Sequence, residues 1–169
     1  MEEKSLLDDL TSQFESELRW QRQLESTDLA AAEATEIFLA GRLLGSVGLT
    51  LELRLKNGES LRGRVSRAAN TWLMLEMTRE NILVWYRSIE VVVGLGVAPQ
   101  WPSEVERRVS ATKVLREFAE ARNEVRLTTQ NTTLKGYIQR VGQDFVDVAD
   151  HGRQVAISVE ALLYATCPR

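Results

Sequence analysis

The 169-residue sequence predicts a mainly β fold with helices (α+β), built as two copies of one unit in which a helix precedes a small five-stranded barrel. Three observations carry this expectation. The apolar period switches from about 3.6 to 2 at Leu49, the step from helix to strand. Turn residues, Asn57-Gly58 first among them, break the β region into short segments. The pattern of the first β region then recurs in the second half of the chain.

The first 45 or so residues read as helix. Leu7, Leu10, Phe14 and Leu18 recur at three- and four-residue steps among acidic residues. Ser26-Thr27-Asp28 offers caps for a second stretch, with Ala30, Ala34, Ile37, Gly41 and Leu44 on one face and Gly45 as a left-handed C-terminal cap. From Leu49 the leucines at 49, 51, 53 and 55 alternate with Thr50, Glu52, Arg54 and Lys56, giving one dry and one wet face. Beyond the Asn57-Gly58 hairpin turn, Leu61, Gly63 and Val65 continue the dry face. Trp72 to Met77, Asn81 to Trp85 and Ile89 to Val93 supply three more strands. Five short strands bury a core best by curling into a closed or nearly closed barrel.

Gly94 to Pro102 breaks the pattern and reads as a linker. Ser103-x-x-Glu106 is a capping box, opening a helix to about Arg122 with Val105, Val109, Leu115 and Phe118 inward. The second β series follows. Leu53-Arg54-Leu55 and Leu61-Arg62-Gly63-Arg64-Val65 match Val125-Arg126-Leu127 and, with one extra turn residue, Leu134-Lys135-Gly136-Tyr137-Ile138. Without further gaps Trp72 then meets Phe145, Leu73 and Leu75 meet Val146 and Val148, and Ile82 and Val84 meet Val155 and Ile157. The expected boundaries are an acidic helical arm at 1–27, a first unit at 28–95, a linker at 96–102 and a second unit at 103–167.

Leu-x-Leu-x-Asn-Gly-x-x-Leu-x-Gly-x-Val after a helix, followed by three short strands, resembles the Sm-like fold. The resemblance implies two Sm-like five-stranded SH3-like barrels, each preceded by a helix, and members that associate through edge strands. The tandem arrangement is also similar to an uncharacterised family of small proteins from high-GC Gram-positive bacteria. Sm-like RNA binders carry an Asp and an Asn where this chain has Ala69 and Leu73, and again Gly142 and Val146. The resemblance therefore implies the architecture more than RNA binding.

Charge is unevenly spread: net −6 over residues 1–47, +2 over 48–95 and +1 over 96–169, for a total of −3. A dedicated nucleic-acid binder usually shows a basic excess. No apolar run approaches the roughly 18 residues of a membrane span, and the Met1-Glu2-Glu3-Lys4 start lacks the pattern of a signal peptide. One cysteine, Cys167, excludes an intramolecular disulfide. The expected compartment is the cytoplasm.

Catalysis is poorly served. His151 is the single histidine and lies in an Asp-His-Gly turn; Cys167 sits beside Pro168; Gly94-x-Gly96 lacks the context of a dinucleotide loop. The sequence thus points to a non-enzymatic chain with no cofactor, no metal and no evident small-molecule substrate. Two surfaces stand out for binding. Arg54, Lys56, Arg62 and Arg64 project from the wet face of the first hairpin, where they could meet phosphates or simply protect exposed strands. Trp85-Tyr86-Arg87 could stack on bases, anchor a protein or plug the barrel end. Leu7, Leu10, Phe14 and Leu18 of the arm need cover, from the chain itself or through self-association. The expected function is a protein-interaction or assembly module, with an RNA-binding regulator of the Sm-like type as the alternative.

Overall fold

The leucine alternation builds the strand it predicts except at Leu49, which precedes β1 and is 39% exposed. In β1 (Thr50–Leu55) Leu51, Leu53 and Leu55 are buried while Arg54 faces outward. β2 (Ser60–Ala68) returns antiparallel, with Leu53 opposite Leu61 and Leu51 opposite Gly63. Gly58 at the turn adopts φ 87°, and Asn57 Oδ1 accepts from the Glu59 amide. β3 (Trp72–Glu76), β4 (Glu80–Trp85) and β5 (Ile89–Val93) complete the first half. β6 (Val125–Thr129), β7 (Thr133–Val141), β8 (Phe145–Asp150), β9 (Arg153–Ser158) and β10 (Leu162–Pro168) form the second. This computed structural model describes residues 19, 22–23, 38–96 and 103–169; the chain divides into compact units at 1–38 and 39–169, and all ten strands lie in the second unit.

The expected pair of five-stranded Sm-like barrels is not what forms. All ten strands belong to one antiparallel sheet in the order β5-β1-β2-β3-β4-β10-β6-β7-β8-β9. β4 does not turn back to close on β5. It pairs instead with β10, from Val84 opposite Tyr164 to Glu80 opposite Pro168. Each half nevertheless has the same internal order, 5-1-2-3-4 and 10-6-7-8-9.

The repeat runs deeper than strand order, and its first strand aligns differently from the sequence expectation. Leu51 faces Gly63 as Val125 faces Gly136, and Leu53 faces Leu61 as Leu127 faces Leu134. Leu51 and Leu53, not Leu53 and Leu55, therefore match Val125 and Leu127, and the second turn is shorter by one residue, not longer. From the glycines onward the offset is 136 − 63 = 73 residues. At that offset a bulge recurs (Val65/Arg67 and Ile138/Arg140), an arginine lies over an aromatic ring (Arg67 on Trp72, Arg140 on Phe145), and a short 3-10 turn follows (Tyr86–Ser88 and Val159–Ala161).

One sheet serves two cores. Leu73, Leu75, Ile82 and Val84 join Leu51, Leu53, Leu55 and Val65 in the first. Trp72, Met74, Leu83 and Trp85 join Leu127, Val146, Val148 and Ala165 in the second. Neighbouring residues of a strand point to opposite faces, so the two cores lie on opposite sides of the sheet and share β3 and β4. Both strands are buried on both faces. Burying Leu83 or Trp85 in this way is worth on the order of 1.5–3 kcal/mol each.

Three short helices lie in the second unit, and residues 19 and 22–23 are also helical. α1 (Leu39–Leu44) buries Leu43 and Leu44 against the first core. The positive φ expected of Gly45 occurs at Gly48 (φ 91°) instead. The helix expected over 103–122 is interrupted: α2 (Glu104–Arg107) carries the capping box, and Ser110 caps a new helix, α3 (Ala111–Glu120), by accepting from the Lys113 amide. Ala111, Val114, Leu115 and Phe118 of α3 enter the second core, whereas Val105 is 79% exposed. No helix among the described residues is long and apolar enough to cross a membrane.

Candidate functional site

Pleating places the hairpin cations as the sequence predicts: Arg54, Lys56, Arg62 and Arg64 are all exposed. Arg62 sits directly across from Glu52, and Arg64 across from Thr50. Glu52 lies 3.9 Å from the Arg54 guanidinium, and Arg64 Nε donates to Gly48 O at 3.4 Å. The face is a mixed one, with one carboxylate set between two arginines. Ion pairs this exposed contribute at most about 1 kcal/mol, so Glu52 dilutes the potential of the patch more than it fixes its side chains.

Trp85, Tyr86 and Arg87 lie far from that face in character. Trp85 is 2% exposed and belongs to the second core. Tyr86 packs against the first core, and burial raises its hydroxyl pKa above the usual tyrosine value. The Trp85 ring offers no free face for a base, and Tyr86 is half-buried. Arg87 stretches from the first half to the second half's 3-10 turn. Its guanidinium donates to Glu160 O at 3.2 Å, to Leu162 O at 3.0 Å and to Val159 O, and lies 5.4 Å from the Trp85 ring centre. Partial burial lowers the Arg87 pKa, and the neighbouring Glu160 carboxylate opposes that shift. Beside it the buried Ser88 Oγ sits 2.6 Å from Trp85 O and 2.9 Å from Leu163 O.

The triplet is therefore part of a joint between the halves. The same joint holds the Arg126–Glu80 ion pair at 2.6 Å, the forked Arg67–Glu117 pair at 2.7 and 3.4 Å, and the Trp72 Nε1 donation to Val109 O at 2.8 Å. Together with the β4–β10 ladder it has the make-up of a protein–protein contact, with apolar and aromatic groups at the centre and charged pairs at the rim. The sequence carries a signal for it that the period-2 reading passes over. Trp72-Leu73-Met74-Leu75 and Ile82-Leu83-Val84-Trp85 are unbroken apolar runs, the mark of strands covered on both faces.

Other groups of interest are dispersed. His151 adopts φ 46° in an exposed turn and contacts the Asp150 carboxylate beside it in sequence. Cys167 is buried in the second core, and burial pushes its thiol pKa up, away from thiolate chemistry. An open depression of about 260 Å³ is lined by Glu80, Glu124, Arg126, Lys135, Thr166 and Pro168, with charges of both signs. Among the described residues no three His, Cys, Asp or Glu side chains come together as a metal site. Leu7, Leu10, Phe14 and Leu18 lie outside the described residues, as does most of the arm.

At the ends of the sheet, β5 and β9 each have a strand on one side only among the described residues. β5 presents Val91 (42% exposed) and Val93 (48% exposed) outward. β9 presents Gln154, Ala156 and Ser158. No protein-family model and no curated protein matches the sequence.

Proposed function

We propose that this chain is a non-enzymatic protein-interaction or assembly module whose working surface is the edge of its sheet. The observation that supports this reading is the β4–β10 joint. Within one chain, strand edges meet through a backbone ladder backed by Leu83 and Trp85 and clamped by Arg87. Edge pairing of this kind is a general mode of protein recognition, in which the ladder supplies affinity and flanking side chains supply selectivity. A distant kinship with Sm-like chains belongs to the same reading; the repeated strand order supports it, and barrel closure does not. A cytoplasmic setting fits a single, buried, unpaired cysteine.

The competing reading is RNA binding, favoured by the outward position of Arg54, Lys56, Arg62 and Arg64. With Glu52 among them, about three cations could meet phosphates together. By the rule of roughly 0.7 per phosphate for a single strand this gives a log–log salt slope near −2, with non-specific dissociation constants of about 10⁻⁴ to 10⁻⁶ M. Titration with labelled single-stranded RNA at about 150 mM salt should therefore stay flat below micromolar protein. Nanomolar binding that collapses in Arg62→Ala/Arg64→Ala would reverse the ranking.

A further inference from the structure

The two edges of the sheet are not equivalent, although the repeat would make them the two halves of a second joint. In the existing joint the outer face of β3 and β4 carries Trp72, Met74, Leu83 and Trp85, all buried against the second core. At the 73-residue offset, the same face of β8 and β9 carries Phe145, Asp147, Ala156 and Ser158. Asp147 is engaged by Arg140, whose Nε and Nη2 both lie 2.9 Å from its Oδ2, and the Arg140 guanidinium also covers the Phe145 ring at 5.1 Å. A further core cannot be seated on Ala156, Ser158 and an ion pair as it is on leucine and tryptophan. Arg153 and Gln154, both exposed on β9, add the polar protection typical of a strand that stays unpaired.

β5 is less protected. Its one charge, the exposed Glu90, lies at the bulge where the register with β1 shifts between Arg54 and Leu55, and the Val91-Val92-Val93 run after it has no charge, proline or outward lysine. Val92 lies opposite Leu53 on the core side, while Val91 and Val93 face outward beside Arg54 and Glu52. An antiparallel pair of two β5 strands centred on Val92 is self-complementary. It sets Val91 against the second copy's Val93 and runs each outward row Arg54, Val91, Val93, Glu52, with a cation at one end and a carboxylate at the other. Strands about 4.8 Å apart put those charges roughly 14 Å from one another, beyond the screening length of about 8 Å. The charges therefore favour the register slightly, and the valines and the backbone ladder provide the contact.

We infer that two copies of this chain pair through β5 across a two-fold axis, and that β9 ends the sheet. The pair closes on itself: a two-fold interface uses the same patch twice and leaves no β5 edge open. This deepens the proposed function, naming a second copy as the partner of one edge, and it can fail without that reading failing. A chain that stays monomeric could still present its edge to another protein, whereas tight RNA binding would remove the broader reading and leave the mass of the particle unaffected.

The test is light scattering on the full chain from about 1 to several hundred micromolar, a range suited to a contact this small. The expected mass rises from 19.1 kDa toward twice that value and no further. Val91→Lys/Val93→Lys, at half-exposed positions, should hold the mass at that of one chain across the range, and Ala156→Lys should leave the dimer intact. Hydrogen exchange on the wild-type chain gives a second readout that needs no variant: the amides of β5 should be protected in concentrated samples and exchange at least tenfold faster on dilution. A single-chain mass throughout, a dimer that survives both lysines, or a larger assembly dispersed by Ala156→Lys would each overturn the inference.

Discussion

Replacing Gly136 by alanine should unfold the protein more readily, while the same change at Gly63 should not. The two glycines occupy equivalent places, opposite Val125 and Leu51. Neither adopts a positive φ, so the backbone accepts alanine at both. The space around them differs. A Cβ on Gly63 would meet Glu76 O at 3.0 Å and Leu75 Cβ at 3.2 Å, which a shift of a few tenths of an ångström relieves. A Cβ on Gly136 would meet Val148 Cγ1 at 2.8 Å and the Ala149 carbonyl carbon at 2.9 Å, with the Ala149 oxygen closer still. These atoms belong to β8, which is tied by ladders to β7 and β9 and cannot retreat freely. Overpacking of this kind costs about 1–3 kcal/mol. The restricted unfolded chain returns about 0.4–1 kcal/mol. The two ranges leave a net loss at Gly136 of about 0–2.6 kcal/mol, in the upper part because the clash is with backbone atoms, and the change at Gly63 is close to zero. With a urea slope of about 1–3 kcal/mol per molar, the Gly136→Ala midpoint should fall by several tenths of a molar at unchanged slope. Equal midpoints for the two variants, or a rise for Gly136→Ala, would refute the packing argument.

Two further outcomes follow from the joint and the cap. Leu83→Ala removes a fully buried side chain that sits on a first-half strand and fills the second core. It should cost about 2–5 kcal/mol in one transition seen alike by tryptophan fluorescence and far-UV circular dichroism; separate transitions for the two signals would contradict a shared core. The Glu106 carboxylate accepts from Ser103 Oγ at 2.7 Å and from the Ser103 amide at 3.0 Å, and the hydroxyl contact, with the amide second, lowers its pKa. Because the folded value is depressed, the box's contribution is present above the ordinary glutamate pKa of about 4.3 and is lost as pH falls through the lower folded value. The Ser103 amide resonance should titrate with a midpoint below that value, and a midpoint at or above it would exclude the box.

Much of the local structure is legible in the residues. The leucines of β1, the Asn57-Gly58 turn and the outward cations follow from a period of two and from turn chemistry, both set within a few residues. The capping box at Ser103 and Glu106 is equally local. Ser110 escapes notice as a second cap because the apolar spacing of Val105, Val109 and Leu115 runs through it without a break, although Val105 is in fact exposed. The β4–β10 pairing lies beyond such rules. A strand's own pattern says which faces are dry, and it does not say which distant edge completes the ladder. Closure of β4 on β5 and pairing of β4 with β10 satisfy the same alternation. The difference is written in Leu83 and Trp85, which would face solvent on a closed isolated barrel and are buried in the shared sheet. The same two residues explain why Trp85-Tyr86-Arg87, with the composition of an exposed recognition triplet, is instead a clamp between the halves.

Nuclear magnetic resonance of the β4 strand tests the central claim most directly. Backbone contacts across β4 and β10, Val84 with Tyr164 and Ile82 with Thr166, should appear as cross-strand Overhauser effects and as slowly exchanging amides in both strands. Overhauser contacts between β4 and β5 in place of these would mean that each half closes into its own barrel, and would contradict the single ten-stranded sheet.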